Sequence, residues 1–413
     1  MGLRITRAAI AGLVSAMALS SNVSAEGPLK VAFVGDPQAD GVEQLEYCRR
    51  SVYKEIRERK DLDLVVFLGD MVNDDVSLLV PTKATLDSIS CPWLCLPGNH
   101  DRDIYPKDSL AKRWPARDAA SFTEVFGYSD TTLTMGGVTF VLLNDVQSWP
   151  KDYSAGLRDS QKRLLESALR KAPAESLVVL CAHIPFSEFA RRDSLETMLA
   201  SHPNTLMVCG HTHYASRHGF GYAGIEEVLA GAACGMFWTG AKGENGLPSA
   251  LMNCGAPRGY YVATFPRRVR PGRKPYSLEY KKVGGHEVAT VYLTADNVLV
   301  ANVFGGGDEG LARMKVHGMK GWLTLSKEDF QAVETLEVLE RNKDIPRRIG
   351  KSRNPEYSPM RKWASPHVWA IRLDEKEAAR LRDGALTRLR YEDASMSVKT
   401  RVRLKVSPLS VSR

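Results

Sequence analysis

Residues 64–70 read Leu-Val-Val-Phe-Leu-Gly-Asp, an unbroken apolar run that ends at a glycine and a carboxylate. Such a run is typical of a buried strand that stops at a turn. Three more apolar runs end at polar motifs in the same way: 31–34 before Asp36-Pro37-Gln38, 177–180 before His183, and 206–208 before Gly210-His211-Thr212-His213. Ligands of open α/β sheets bind beyond the carboxyl ends of the strands. The sequence therefore predicts an α/β fold with a site at one sheet edge.

Together with Gly98-Asn99-His100-Asp101, these motifs bring many oxygen and nitrogen donors to that edge. They supply two carboxylates, two amide oxygens and four imidazoles, from Asp36, Asp70, Gln38, Asn99, His100, His183, His211 and His213. A pair of divalent cations requires a donor set of this kind. Two simpler interpretations compete with a metal site. Asp36 and Asp70 can be helix N-caps that follow strands, and His183 taken alone can be a buried core histidine.

The segments between the motifs alternate between strand and helix patterns. Helices are predicted at 41–60, 76–88, 118–126, 159–171 and 191–201, and a hairpin is predicted at 133–144 around Gly136-Gly137. The residues alone support only the general class α/β.

These motifs, in this order, resemble the calcineurin-like metallophosphoesterases over residues 29–232. The resemblance implies a four-layer α/β/β/α sandwich and a binuclear metal centre in which Asp70 bridges the two ions. It assigns one ion to Asp36, Gln38, Asp70 and His213, and the other to Asp70, Asn99, His183 and His211. The bridge would hold the ions about 3.5–4 Å apart.

The commoner pattern of that family is Asp-x-His, and Gln38 stands where that pattern has histidine. A glutamine oxygen is a hard, neutral ligand that binds zinc less well than imidazole does. The expected cofactors are therefore two divalent ions among Mn²⁺, Fe²⁺, Mg²⁺ and Zn²⁺, with Mn²⁺ favoured.

The resemblance implies an enzyme that hydrolyses a phosphomonoester or a phosphodiester by direct attack of a hydroxide held between the two metals. It gives His100 the role of stabilising or protonating the leaving-group oxygen. Asp101 follows it directly and is expected to orient the His100 ring, although a turn-capping role competes with this interpretation.

Two other functions compete with this one. The first is a diphosphatase that acts on nucleotide-linked or lipid-linked diphosphates. The second is an inactive protein of the same fold that binds envelope polyanions, which steep weakening of binding by salt would reveal.

The N-terminal 25 residues have the pattern of a signal peptide. Arg4 and Arg7 form a positive region, residues 8–19 are apolar, and Val23-Ser24-Ala25 is a small-residue cleavage site. We therefore expect a secreted, periplasmic protein, with an uncleaved membrane anchor as the alternative. No later segment has the length and apolar character of a membrane span.

The remaining chain is predicted to divide at residue 266. Residues 26–265, the metallophosphoesterase domain, have a net charge of −6, whereas residues 266–413 have a net charge of +12. The second part has four alternating strand patterns and one polar helix at 327–342, which predict an all-β domain, specifically a β-sandwich. A proline-rich and arginine-rich connector at 266–275 separates the two parts.

Segments 301–304 and 365–369 of the second part also resemble the C-terminal β domain that is appended to bacterial calcineurin-like enzymes. Segments 234–240 and 255–260, which precede residue 266, resemble the junction between the two domains of those enzymes. The basic residues of the second part are expected to form a solvated face, or else to contact an anionic surface. No nucleic-acid-binding motif is found, and we do not expect nucleic acid as a partner. The expected substrate is a small-molecule, lipid or envelope phosphoester.

The chain has seven cysteines, an odd number for an exported protein. Cys181 and Cys209 lie inside apolar strands and are predicted to be buried thiols. The other five could supply one or two disulfides, whose pairing the sequence does not give.

Overall fold

The computed structural model describes residues 27–103, 118–149, 152–221, 224–249, 251–269, 274–327, 329–381 and 383–411. The proposed signal peptide lies outside these ranges, as do residues 270–273 of the predicted connector. Within these ranges, no helix is long and apolar enough to span a bilayer.

The first domain alternates strands and helices as predicted. Its strands are β1 (Leu29–Val34), β2 (Leu64–Phe67), β3 (Trp93–Cys95), β4 (Thr131–Met135), β5 (Val138–Leu142), β6 (Val146–Trp149), β7 (Asp152–Ala155), β8 (Leu177–Cys181), β9 (Thr205–Cys209), β10 (Ala215–Phe220), β11 (Ile225–Ala230), β12 (Gly259–Phe265) and β13 (Ser277–Lys282). Its helices are α1 (Val42–Arg50), α2 (Val52–Glu58), α3 (Leu79–Leu86), α4 (Ala120–Phe126), α5 (Asp159–Lys171) and α6 (Arg192–Leu199). The predicted helices and hairpin are confirmed, with the first helix divided at Ser51.

These strands form two sheets. The first has the order β13-β12-β1-β2-β3, and the second has the order β10-β11-β9-β8-β5-β4. Strands β1, β2 and β3 are parallel to one another, as are β5, β8, β9 and β11. In the first sheet, β12 is antiparallel to its neighbours β1 and β13, and in the second sheet the antiparallel strands β10 and β4 form the edges. Strands β6 and β7 pair in a separate hairpin.

The alternation of side chains along β5 explains the layers. Phe140 points toward the first sheet, where its ring lies 6.1 Å from that of Phe265. The next residue, Val141, points to the opposite face and packs with Leu165 of α5 and Leu199 of α6. On the outer face of the first sheet, helix α2 packs its Tyr53 against Phe67. The two sheets are therefore enclosed between helices, which confirms the predicted four-layer α/β/β/α sandwich.

The parallel strands carry their carboxyl ends to one edge of the sandwich, and short backbone bonds join the loops there. The Gln38 N–H donates to the Asp70 carbonyl at 2.8 Å, which links the loops after β1 and β2. The Gly210 N–H donates to the His183 carbonyl at 3.0 Å, which links the loops after β9 and β8. The predicted site motifs therefore meet at this edge.

The second domain is built mainly from strands. They are β14 (Ala289–Leu293), β15 (Val298–Val303), β16 (Leu311–Val316), β17 (Leu323–Lys327), β18 (Arg348–Ile349), β19 (Ser352–Arg353), β20 (Val368–Arg372), β21 (Leu386–Glu392) and β22 (Ser397–Val406), with helices α7 (Val333–Arg341) and α8 (Glu375–Ala379). The all-β expectation and the predicted polar helix are confirmed.

Seven of these strands close into a barrel in the order β14-β15-β20-β17-β16-β21-β22. The alternating strand patterns of the sequence predict the two open sheets of a β-sandwich instead. The difference lies in β22, which pairs with β21 along one edge and, in parallel, with β14 along the other. That pairing removes the open edges. Local sequence patterns do not predict a parallel pairing between strands that are more than a hundred residues apart.

The first sheet continues past the predicted boundary at residue 266. Strand β13 pairs with β12 in six register positions, from Gly259 opposite Lys282 to Thr264 opposite Ser277. By sheet membership, the first domain therefore reaches Lys282.

A buried arginine joins the two domains. Arg217 of β10 is 2% exposed, and its guanidinium forms ion pairs with Glu226 of β11 and with Asp393, in the turn between β21 and β22. It also donates to the Gly305 carbonyl at 2.8 Å and to the Ser395 hydroxyl at 2.6 Å. These contacts fix the barrel against the second sheet.

All seven cysteines have free thiols, so no disulfide of the kind considered above forms. Cys181 and Cys209 are buried as predicted.

Candidate metal centre

The loops at the sheet edge have an unusual backbone. Nine described residues other than glycine have a positive φ, and five of them are predicted metal ligands: Asp36 (46°), Gln38 (42°), Asp70 (50°), His211 (71°) and His213 (53°). This conformation costs about 1–3 kcal/mol per residue and is concentrated at functional sites. The fold therefore stores strain where the predicted ligands lie.

Nε2 of His183 lies at the centre of the tightest donor cluster. It is 2.9 Å from Oδ1 of Asn99, 3.2 Å from Nδ1 of His211 and 3.3 Å from Oδ1 of Asp70. The ligand atoms of Asp70, His183 and His211 all lie within 4.8 Å of one another. Four side chains from four loops thus converge on one point, as the ligands of a single cation do.

Two of the imidazoles are oriented by backbone carbonyls. Nδ1 of His183 donates to the Leu68 carbonyl at 2.8 Å, and Nδ1 of His213 donates to the Gly235 carbonyl at 2.7 Å. Contacts of this kind fix the tautomer and are typical of metal-binding histidines. They leave Nε2 of each ring free to bind a cation.

The electrostatics also suit a cation. Burial lowers the pKa of His211 to about 3 and that of His213 to about 4, so both rings are neutral at pH 7. Burial lowers the pKa of His183 too, but the Asp70 carboxylate outweighs it and raises that pKa to about 10. Positive charge is therefore favoured at Nε2 of His183, where a metal ion would replace the proton.

The second predicted ligand set lies beside the first. Both oxygens of Asp36 accept the His211 backbone N–H at 3.0 Å, and Oδ1 of Asp36 is 3.8 Å from Nε2 of His213. The amide nitrogen of Gln38 lies 3.3 Å from Oδ2 of Asp70, while its oxygen faces the Cys234 thiol. Gln38 must turn its amide by half a rotation to offer the oxygen as a ligand.

Asp70 connects the two sets. Its Oδ1 faces His183 and its Oδ2 faces Gln38, each at 3.3 Å, so its two oxygens address different halves of the site. The carboxylate is buried. Carboxylate, amide and imidazole groups are donors that suit divalent cations.

Glycines allow the ligands to approach so closely. A Cβ on Gly98 would lie 2.1 Å from Oδ1 of Asp70, and a Cβ on Gly210 would lie 2.7 Å from Oδ2 of Asp36. Any larger residue would displace the carboxylate. These two motif glycines are therefore required by the packing around the acids.

The ring of His100 is held by Asp74, which is not among the site residues predicted from the sequence. Its Nδ1 lies 2.8 Å from Oδ1 of Asp74. The predicted partner, Asp101, instead accepts backbone N–H groups of Met71, Val72 and Gly98 at 2.9–3.1 Å. Asp101 therefore has the competing turn-capping role, because its buried carboxylate is fully engaged by the backbone.

Asp145 is a second site residue that sequence reasoning missed. Its buried carboxylate accepts the backbone N–H groups of His183 and Ile184, each at 3.0 Å. It thereby fixes the loop that presents His183. A signal was available, since Asn144-Asp145 follows the apolar run 140–143 as the other motifs follow theirs.

The site opens into a cavity of about 750 Å³. One wall contains Asp70, Asn99, His100, His211 and other residues of the first domain. The part of the lining that comes from the second domain contains four arginines, Arg347, Arg348, Arg353 and Arg361. From the sequence, the basic residues of this domain are expected to form a solvated face or to contact an anionic surface, and none of them is predicted to lie at the site.

Comparison with protein-family models gives two matches. Residues 29–215 match the model described as calcineurin-like phosphoesterase, and residues 227–382 match the model described as the C terminal of calcineurin-like phosphoesterase. The first match contains every predicted metal ligand, and the second contains the four arginines of the cavity.

The individual proteins that match this chain have low sequence identity to it. A probable cyclic nucleotide phosphodiesterase of Rhodopseudomonas palustris is 26% identical over 148 residues, which is 35% of this chain and 50% of the relative. The chain thus matches about half the length of that protein. Solved structures include vacuolar protein sorting 29 of Cryptosporidium parvum (13% identical, 62% of this chain, 100% of the other, TM-score 0.27) and a Thermotoga maritima protein (14%, 62%, 99%, TM-score 0.27).

Proposed function

The chain belongs to the calcineurin-like phosphoesterase family, and from that premise we propose that it is a binuclear metal-dependent hydrolase of phosphodiesters. The observation that carries the proposal is the position of Asp70. Its two carboxylate oxygens face two separate sets of donors, one around His183 and one around Gln38. A shared carboxylate is the feature that a two-metal site needs.

Two divalent cations bound there would polarise the phosphoryl oxygens and supply a nucleophile from water at neutral pH. Asp70, Asn99, His183 and His211 would hold one cation, and Asp36, Gln38, Asp70 and His213 the other. The protein contributes the orientation of these ligands, since Leu68 and Gly235 fix two of the rings. Gln38 is the weakest zinc ligand of the set and favours Mn²⁺.

His100 acts on the leaving group. Burial lowers its pKa, but the carboxylates of Asp70 and Asp74 outweigh burial and raise the pKa to about 8. The ring is then protonated at pH 7. Since Nδ1 is engaged by Asp74, Nε2 is the nitrogen that donates a proton to the departing oxygen.

The choice of diester over monoester is supported by the relative from Rhodopseudomonas palustris, which bears the name of a phosphodiesterase. The match includes half of that protein, so its substrate is not carried over. The exported location is part of the proposal and depends on the pattern of residues 4–25 alone.

The test is hydrolysis of bis(p-nitrophenyl) phosphate by protein stripped of metal and then reloaded with Mn²⁺. We expect activity that requires the metal and that Asp70→Asn removes. Asp87→Asn is the matched control, because the Asp87 carboxylate pairs with Lys83 on the surface of the first domain and does not line the cavity. Loss of activity in both variants, or activity that is unchanged in Asp70→Asn, would contradict the proposal.

The metal itself is tested separately from turnover. Binding of Mn²⁺ at a hundred times its dissociation constant stabilises a folded protein by about 2.7 kcal/mol. We expect Mn²⁺ to raise the melting temperature of the parent protein and of Asp87→Asn, and to raise that of Asp70→Asn much less.

A further inference from the structure

The second domain lines the cavity of the candidate metal centre with an arginine loop, which we define as residues 345–361. It contains the short hairpin of β18 and β19, and it places Arg347, Arg348, Arg353 and Arg361 along the cavity. The loop is an insertion between α7 and β20 and forms no part of the barrel.

Internal hydrogen bonds hold the base of the arginine loop. The side chain of Asn354 donates to the Pro346 carbonyl at 2.9 Å, and its backbone N–H donates to the Arg347 carbonyl at 3.0 Å. Asn354 is buried, in contrast to the arginines beside it. The guanidinium of Arg347 also lies 5.5 Å from the centre of the Tyr357 ring. The hairpin therefore has a defined shape.

Other hydrogen bonds fasten the loop to the segment between β11 and β12, which also contacts a predicted metal ligand. The Gly240 N–H donates to the Pro355 carbonyl at 2.8 Å, and the Arg361 N–H donates to Oδ1 of Asn253 at 2.7 Å. Asn253 in turn donates its backbone N–H to the His213 carbonyl at 3.4 Å. One asparagine thus contacts both the arginine loop and a predicted ligand, which fixes the loop relative to the metal centre.

The charge of the four arginines is uncompensated. Within the described ranges, none of the four arginines forms an ion pair with a carboxylate, and Asp70 is the one acidic residue among those that line the cavity. By contrast, Arg217 of the same chain is fully paired. Guanidinium groups bind carboxylate and phosphate with two parallel hydrogen bonds, so arginines without a carboxylate partner suit an anionic ligand.

We propose that the arginine loop is a second anion site, which binds a phosphate of the substrate other than the one that is hydrolysed. The substrate is then a small organic ester with at least two phosphate groups, one held at the metal centre and one at the loop. This inference rests on the proposed function, since the metal centre defines the first group. A cavity of about 750 Å³ has the volume of a small-molecule site.

The test compares two chromogenic esters that differ in one remote phosphate: the p-nitrophenyl ester of thymidine 5′-phosphate, with and without a 3′-phosphate. We expect the protein to have the higher kcat/KM for the 3′-phosphorylated ester. In Arg348→Gln/Arg353→Gln, the ratio of the two kcat/KM values should fall by about tenfold, as expected for loss of exposed charge-assisted bonds.

The control is Arg388→Gln/Arg401→Gln. This pair removes the same charge from facing positions on β21 and β22, where both side chains are exposed and neither lines the cavity. It should keep the ratio of the parent protein. If the ratio of kcat/KM values fell equally in both variants, net charge alone would explain the effect and the proposal would be overturned. An unchanged ratio in the loop variant would also overturn it.

A binding measurement separates this proposal from the catalytic one. Thymidine 3′,5′-bisphosphate should bind the metal-loaded full chain and bind the loop variant about tenfold more weakly, whether or not either ester is hydrolysed. Absence of hydrolysis with intact, loop-dependent binding contradicts the proposed hydrolase but supports the anion site. Hydrolysis, together with bisphosphate binding that is equally tight in the parent protein and in the loop variant, supports the proposed hydrolase but contradicts the anion site.

The second phosphate could belong to a soluble compound or to a lipid headgroup. Vesicles of phosphatidylcholine with phosphatidic acid distinguish these sources. If vesicles with phosphatidic acid displace the bound bisphosphate and vesicles of pure phosphatidylcholine do not, the second phosphate belongs to a lipid. Absence of competition indicates a soluble one.

Discussion

Nδ1 of His100 lies 2.8 Å from Oδ1 of Asp74, a residue 26 positions earlier in the chain. The two residues belong to the loops that follow β3 and β2, and the backbone N–H of Asp74 also donates to the His100 carbonyl at 3.0 Å. The histidine ring is thus held from two sides by one neighbouring loop. Since His100 lines the cavity, this pair sets the direction in which the ring faces substrate.

Asp74→Asn should lower kcat by about tenfold to a hundredfold with little effect on KM, because the ring loses its orientation while the metal ligands stay in place. The defect should be larger for a diester with only alkyl leaving groups than for bis(p-nitrophenyl) phosphate, because the departing p-nitrophenolate needs no proton. Steady-state kinetics with both leaving groups measures this. An equal defect for both would indicate a structural role, and Asp87→Asn is the control.

Much of this site follows from simple local rules in the sequence. Asp36, Asp70 and His183 each follow an apolar run, and parallel strands necessarily carry such positions to one edge. The layers follow as well, because strands that are apolar at every position must be covered on both faces. These features depend on the periodicity of short segments.

Other features depend on contacts between distant segments and could not be predicted. The sequence next to His100 offers Asp101, but the turn directs that carboxylate to three backbone N–H groups and leaves Asp74 to contact the ring. The parallel pairing of β22 with β14 closes the barrel. The position of Arg348 over the cavity depends on how the whole second domain packs.

Gly98→Ala should abolish metal binding and activity while the protein remains folded. Its new Cβ would lie 2.1 Å from Oδ1 and 2.4 Å from the backbone nitrogen of Asp70, so the carboxylate must move. Gly219→Ala is the matched control, since no atom lies within 4 Å of its Cβ position. Metal content after dialysis measures the effect. Full Mn²⁺ retention in Gly98→Ala would show that Asp70 can shift without loss of the site.

Gln38→His should shift metal preference toward Zn²⁺. Imidazole binds zinc better than an amide oxygen does, and histidine tolerates the left-handed backbone conformation found at this position, where φ is 42°. We expect the ratio of Zn²⁺ to Mn²⁺ affinity to rise by about tenfold in chelator competition. An unchanged ratio would indicate that residue 38 is not a ligand.

Arg217→Met should destabilise the protein by about 3–5 kcal/mol, because it leaves the carboxylates of Glu226 and Asp393 without their buried partner. Denaturant unfolding measures the loss. Arg313→Met removes an exposed arginine from β16 and should change stability by less than about 0.5 kcal/mol. If the two variants were equally stable, Arg217 would not hold the barrel to the second sheet.

The pair of His218 and Glu227 should make stability depend on pH. Nε2 of His218 lies 2.8 Å from Oε2 of the buried Glu227, and this hydrogen bond raises the pKa of His218 above its usual value of 6.5. A raised folded-state pKa means that the stabilisation is fully present below about pH 6.5 and is lost as pH rises through the folded-state pKa. His218→Gln keeps a donor without the charge, so it should destabilise the protein by about 1 kcal/mol at about pH 5.5 and by much less at about pH 9. Melting curves of both proteins across this range measure the difference. A difference that is constant with pH would mean that the charge of His218 contributes nothing and that its packing alone stabilises strand β10.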